Sequence, residues 1–178
     1  MKKIGLILSV LVICGISALA QGRQPSEPTR PYVVKTNQEV SAIEKALHSI
    51  DPEIKTKETV SKTDDLINSE GLQIRVAVQY DAKKNAARAE LHDASDDVYY
   101  VLEGSAQLTL GGKLDNPKEE SPGEWRSDKI IDGKTFTIKK GDLIVVPRGT
   151  PHHRINTKGK TFSLILIKIF KDPIPPKK

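Results

Sequence analysis

Two stretches of the chain gather side chains able to bind a metal or move a proton. The first is Glu90-Leu-His92-Asp-Ala-Ser-Asp-Asp97-Val-Tyr99-Tyr-Val-Leu-Glu-Gly104, and the second runs from Gly141 through Pro147, Gly149 and His152 to Asn156. Side chains alternate along a strand with period two, so Glu90 and His92 share a face, as do Asp97, Tyr99 and Val101 on the next strand. A hairpin between these two strands would bring Glu90, His92 and Asp97 together. Pro147-Arg-Gly149 reads as a tight turn whose end presents His152. Two imidazoles and two carboxylates converging on one point are what a divalent first-row ion needs, so Glu90, His92, Asp97 and His152 are the candidate metal ligands. Tyr99 has the parity of Asp97 and is the candidate catalytic residue, a phenol able to donate a hydrogen bond or a proton. A half-buried structural tyrosine would explain the same residue with no chemistry at all.

The neighbours of these residues have weaker assignments. Arg88 shares the parity of Glu90 and His92, and suits a pair with Glu90 or a substrate carboxylate. His153 should point away from the metal, and Asp96 away from Asp97, unless a bulge exchanges them. Trp125-Arg126 stands in the longest polar insertion, 111–134, and reads as loop packing more than as a lid. His48 stands alone on a helical pattern and reads as a surface or boundary residue.

The elements that must position this chemistry are short strands. A capping box at Thr36 and Glu39 precedes Val40, Ile43, Ala46, Leu47 and Ile50 at helical spacing, which predicts one helix over 37–50. From residue 54 the period changes to two, and strands are expected at 54–60, 72–80, 86–92, 98–102, 106–110, 135–138, 143–146 and 162–170. Glycine-bearing turns separate them, among them Glu103-Gly104, Gly111-Gly112, Lys140-Gly141 and Lys158-Gly159. One helix followed by many short strands argues for an all-β jelly-roll barrel with an N-terminal helix. The organisation expected is a signal peptide (1–20), a Pro-rich leader (21–35), a helix and first strand (36–71), a β-barrel (72–170) and a tail (171–178).

Composition narrows the function classes. The chain has 178 residues, 28 Lys+Arg against 23 Asp+Glu, and one Cys. That length accommodates one domain with appendages. No cysteine pair exists to form a bridge or hold a structural zinc. Lys2-Lys3, an uncharged run from Ile4 to Leu19, and Ala18-Leu19-Ala20 read as a secretory signal cleaved after Ala20, with a periplasmic or secreted product. The run is shorter than the roughly 20 residues that cross a bilayer, so no stable membrane span is expected after cleavage. The mild positive charge and the lack of a basic stripe interleaved with aromatics argue against nucleic acid.

At its two chemical stretches the sequence resembles the cupin superfamily. Gly141, Pro147, Gly149, His152 and Asn156 match the family's second motif, Gly-x5-Pro-x-Gly-x2-His-x3-Asn, at every position. The first motif, Gly-x5-His-x-His-x4-Glu-x6-Gly, is matched at His92 and Gly104, with Lys84, Glu90 and Asp97 standing where the family has Gly, His and Glu. The resemblance covers roughly 72–170 and implies a single-domain cupin. Members usually hold a metal by three His and one Glu; carried over by position, the ligands here are Glu90, His92, Asp97 and His152. Two imidazoles with two carboxylates leave a divalent ion neutral, which favours Mn or Fe, with Zn also compatible, over Cu. Alternatively, Glu90 is a salt-bridging residue and His92, Asp97 and His152 form a two-His, one-carboxylate triad. A barrel without metal is the third reading.

The resemblance implies an enzyme acting on a small polar carboxylate or sugar-like substrate as a decarboxylase, isomerase, lyase or dioxygenase, since one barrel hosts all four. A non-catalytic periplasmic protein that captures a small molecule or a metal is the competing reading, favoured by the departures at Lys84, Glu90 and Asp97. Pairing into a homodimer is compatible with both.

Overall fold

The computed structural model describes residues 25–28, 30–49, 59–84 and 87–175. The signal sequence expected at 1–20 and most of the strand expected at 54–60 lie outside the described residues. The chain divides into two units, Met1–Tyr32 and Val33–Lys178. The described residues of the first, 25–28 and 30–32, are exposed and carry no helix or strand. Every element below belongs to the second.

Helix α1 (Asn37–Leu47) starts where the sequence says it should: the Thr36 hydroxyl accepts from the Glu39 N–H, and the Glu39 carboxylate accepts from the Thr36 N–H at 2.8 Å. Its α-helical turns end at Leu47 with His48 as the C-cap, and the end predicted at 50 lies outside the described residues. No helix among the described residues is long and apolar enough to cross a membrane. The strands follow as β1 (Thr59–Ile67), β2 (Ile74–Lys84), β3 (Ala89–His92), β4 (Ser95–Leu110), β5 (Lys113–Leu114), β6 (Lys118–Ser121), β7 (Glu124–Ser127), β8 (Ile130–Ile131), β9 (Lys134–Lys139), β10 (Leu143–Val146), β11 (His152–Asn156) and β12 (Phe162–Phe170).

All the pairings between these strands are antiparallel, and the main path runs β1-β2-β12-β4-β11-β3-β7-β6. The architecture is an all-β jelly roll with an N-terminal helix; its sheet path is open rather than closed into a ring. β4 belongs to both layers. Its first half pairs β12 and β10, and its second half pairs β9 and β11. The turn expected at Glu103-Gly104 is instead a bend within this one strand. Gly104 has φ of +79°, and a Cβ there would strike the backbone of Thr161 and Phe162. Gly104→Ala should therefore lower stability by about 1–3 kcal/mol through strain and overpacking, read as a shifted urea midpoint at unchanged slope; an unshifted midpoint would show that the bend tolerates a side chain.

The core lies between the layers. Tyr99, Val101, Ala106, Leu108, Ile138, Val146, Phe162, Leu164 and Leu166 form one buried cluster. A second, of Val60, Tyr80 and Ala82, sits beside Leu47 of α1. The expected β3–β4 hairpin does not form: β3 pairs β11 and β7, because the tight connection Asp93-Ala94 sends β4 into the other layer. The polar insertion 111–134 is also more ordered than its composition suggested, supplying β5 to β8.

Candidate metal centre

β3 is buried at Ala89 and His92, and its inward face carries Glu90 and His92. β4 sends Asp97, Tyr99 and Val101 inward by strict alternation. The Pro147–Gly149 turn delivers His152 to the start of β11, where His152, Arg154 and Asn156 are all buried. That turn is fastened from two sides. Gly149 donates its N–H to the carbonyl of His92 at 2.8 Å, and Arg148 donates from its backbone N, Nε and Nη2 to the Asp96 carboxylate. These hydrogen bonds from Arg148 hold the Asp96 carboxyl down at about 2. Asp96 thus faces away from Asp97, as its parity requires, and acts as the anchor of the turn.

Glu90, His92 and His152 converge: one ligand atom from each lies within 4.8 Å of the others. Asp97 flanks them, its Oδ2 standing 3.5 Å from His92 Nε2 and 3.9 Å from His152 Nε2. The two imidazole rings are 5.1 Å apart, centre to centre. Tyr99 lies beneath, donating its hydroxyl hydrogen to Asp97 Oδ2 at 3.1 Å. All five candidate residues line one cavity of about 240 Å³ together with Gln79, Glu124, Arg126, Arg154 and Lys168.

Glu124 and Lys168 escaped the sequence reading, and Arg126 was expected with Trp125 as loop packing; register explains where all three stand. Glu124 stands opposite His92 across β3–β7, and Arg126 opposite Glu90. Lys168 stands opposite Asp97 across β4–β12. Cross-strand neighbours of opposite charge pair, so Glu124 Oε2 meets His92 Nδ1 at 2.7 Å, Arg126 Nη2 meets Glu90 Oε2 at 3.2 Å, and Lys168 Nζ meets Asp97 Oδ1 at 2.6 Å. The partner expected for Glu90 was Arg88. It pairs with Glu120 instead, since Arg88 lies just ahead of β3 and reaches β6. Trp125 belongs to β7 and points to its other face, its indole N–H on Asp93 Oδ2 at 2.8 Å, so it packs rather than closes the cavity. His153 faces away, donating from Nε2 to the Ala87 carbonyl at 2.7 Å.

Both central imidazoles have their tautomer set from behind. His152 Nδ1 lies 3.0 Å from the Thr150 carbonyl and must carry the proton it donates there, leaving the Nε2 lone pair toward the cavity. That Nε2 is buried and has no hydrogen-bond partner among the described residues. His92 Nδ1 likewise donates to Glu124, which turns its Nε2 inward. A carboxylate or carbonyl behind each imidazole is how metal-binding histidines are oriented. Burial works against a charge on His92, but hydrogen bonds to Asp97 and Glu124 outweigh it and push its pKa to about 9. Burial alone dominates at His152 and lowers it. Asp97 is costly to bury, yet His92 and Lys168 hold its carboxyl well below the usual range. Three carboxylates here face Arg126, Lys168 and, at neutral pH, the proton on His92; a divalent ion suited to the donor atoms present would take that proton's place. Tyr99 is pushed well above 10 by burial and by the charge of Asp97, so it remains a neutral phenol that positions Asp97.

The cupin-domain family model matches residues 126–168, which contain the whole Gly141–Asn156 motif. No curated protein matches the chain. Among solved structures, the chain is similar to recombinant oxalate oxidase in complex with glycolate, at TM-score 0.46 and 14% identity over 67% of this chain and 54% of that one. It is similar to a predicted oxalate decarboxylase from Thermotoga maritima, at TM-score 0.44 and 17% identity over 62% and 80%. A Klebsiella pneumoniae protein with a double-stranded beta-helix domain gives TM-score 0.46 and 14% identity over 69% and 88%. The chain spans about half the length of the oxalate oxidase. The stretch of this chain that carries the motif turn and delivers His152 is thus similar to a cupin domain, and it sits in a jelly roll.

Proposed function

We propose that this protein is a cupin that binds a divalent metal through Glu90, His92 and His152, with Asp97 as a fourth ligand, and acts on a small polar anion. The supporting observation is the pair of inward Nε2 atoms, each with its Nδ1 proton committed to an oxygen behind it. Two carboxylates beside two imidazoles favour Mn or Fe, with Zn also compatible. Such an ion supplies Lewis acidity toward a bound oxygen. The chain's own residues do the rest: Arg126 and Lys168 offer cationic groups to a substrate carboxylate, and Tyr99 keeps Asp97 oriented from a buried position. The proposed setting is outside the cytoplasm, after removal of residues 1–20.

Elemental analysis of protein purified without chelator or polyhistidine tag, followed by a turnover screen of small carboxylates and hydroxy acids, tests this. Bound Mn, Fe or Zn with metal-dependent product supports the enzyme; no metal even after reconstitution overturns the site. Tight stoichiometric ligand capture without turnover selects the second reading, a non-catalytic binding protein, which the ion pairs already occupying Glu90 and Asp97 favour. Glu90→Gln discriminates ligand from salt-bridge partner. We expect at least a tenfold loss of metal affinity, whereas unchanged affinity assigns the ion to His92, Asp97 and His152.

A further inference from the structure

His48 reads from its sequence context as a surface or boundary residue, but its surroundings point to a task. His48, the C-cap of α1, follows Glu44 by one turn, the spacing at which two helical side chains meet. Glu103 comes from β4 just before the Gly104 bend. Its cross-strand neighbour is Ser163, and the Ser163 hydroxyl donates to the Glu44 carboxylate. That hydrogen bond sets helix and strand in register, and one ligand atom from each of Glu44, His48 and Glu103 lies within 4.8 Å of the others. The His48 ring is held flat against Tyr80, with centroids 4.2 Å apart and planes at 25°. Its Nε2 is buried and without a hydrogen-bond partner among the described residues. A buried nitrogen left in that state carries an unrelieved desolvation cost, which a metal ligand bond would offset.

We propose that Glu44, His48 and Glu103 form a second divalent-metal site, of zinc type, that fastens α1 to the sheet. One imidazole and two carboxylates are borderline to hard donors suited to Zn²⁺, with a water completing the tetrahedron. Zinc–donor bonds of about 2.0–2.2 Å need the three atoms drawn closer, which exposed Glu103 achieves by side-chain rotation. The fold has a use for such a tie. α1 buries none of its residues completely, so apolar packing alone holds it weakly, and an ion bridging helix and strand adds its binding energy to their association.

The test separates this site from the barrel by using the His92→Ala/His152→Ala protein as background, with Zn²⁺ as the probe in calorimetry and Co²⁺ in visible spectroscopy. We expect that background to bind one Zn²⁺, His48→Ala added to it to bind none, and Glu103→Gln to bind at least tenfold more weakly. In the otherwise unchanged chain, Zn²⁺ should slow amide hydrogen exchange across residues 37–47, and His48→Ala should abolish that slowing while leaving apo helix content unaltered. Zinc stoichiometry and exchange that are the same with and without His48 overturn the proposal. So does a background protein that folds and takes up no zinc.

Discussion

The His92→Ala/His152→Ala protein should come off the column with one equivalent of divalent metal fewer than the unaltered chain. Each of these imidazoles turns its Nε2 toward the cavity, held by an oxygen on the far side of the ring, Glu124 behind His92 and the Thr150 carbonyl behind His152. Removing both leaves carboxylates already matched to Arg126 and Lys168, a poor donor set by itself. The oxygen behind His92 should matter almost as much. Glu124→Gln should cost about 10–100-fold in metal affinity, although Glu124 is not itself among the converging ligand atoms. Equal metal content in wild type and double variant, measured by elemental analysis, would sink the barrel site.

The largest effect on stability should follow Arg154→Ala, at about 3–5 kcal/mol. Asp81 is wholly buried, and Arg154 Nη2 meets its Oδ2 at 2.9 Å. Truncating the arginine removes the buried cation beside this carboxylate, whose other oxygen accepts from Ser61 and Gln79. Contact of the guanidinium with the faces of Tyr99 and Phe162 is lost as well. An Asp81→Asn/Arg154→Met pair, which removes both charges and keeps volume, should recover much of the loss. Urea unfolding decides it. An Arg154→Ala protein within about 1 kcal/mol of wild type would mean that water or another cation relieves Asp81.

What could be read from the sequence followed the kind of signal each element carries. Strands with an apolar inner face, such as Phe162–Phe170, stand out by alternation. β11 does not, because its inward residues are His152, Arg154 and Asn156, and polar inner faces are invisible to hydrophobic period. It was found only as a motif. The break placed at Glu103-Gly104 came from treating a glycine as a turn, when its absent Cβ serves the close approach of Thr161. Glu90, His92, Asp97 and His152 were readable because each is defined by local parity or by a turn. The places of Glu124 and Lys168, and of Arg126 beside Glu90, were not: each is set by strand register, and register is a property of pairs of segments far apart in the chain. The same limit hid the cluster at His48, two of whose members lie on one helix while the third is more than fifty residues away.

The membership of β4 in both layers has a consequence for the order in which the molecule assembles. All four strands that pair with it, β9, β10, β11 and β12, come later in the chain. During synthesis the central strand waits without partners until residues 134–170 have been made, so closure depends on distant pairings and belongs to the slower, millisecond-to-second regime of folding. In that interval both flanks of a sixteen-residue strand offer unpaired amides and carbonyls. A chain halted before Phe162 would keep one flank of Ser95–Gly104 open, and that flank is where a second unfinished chain would dock.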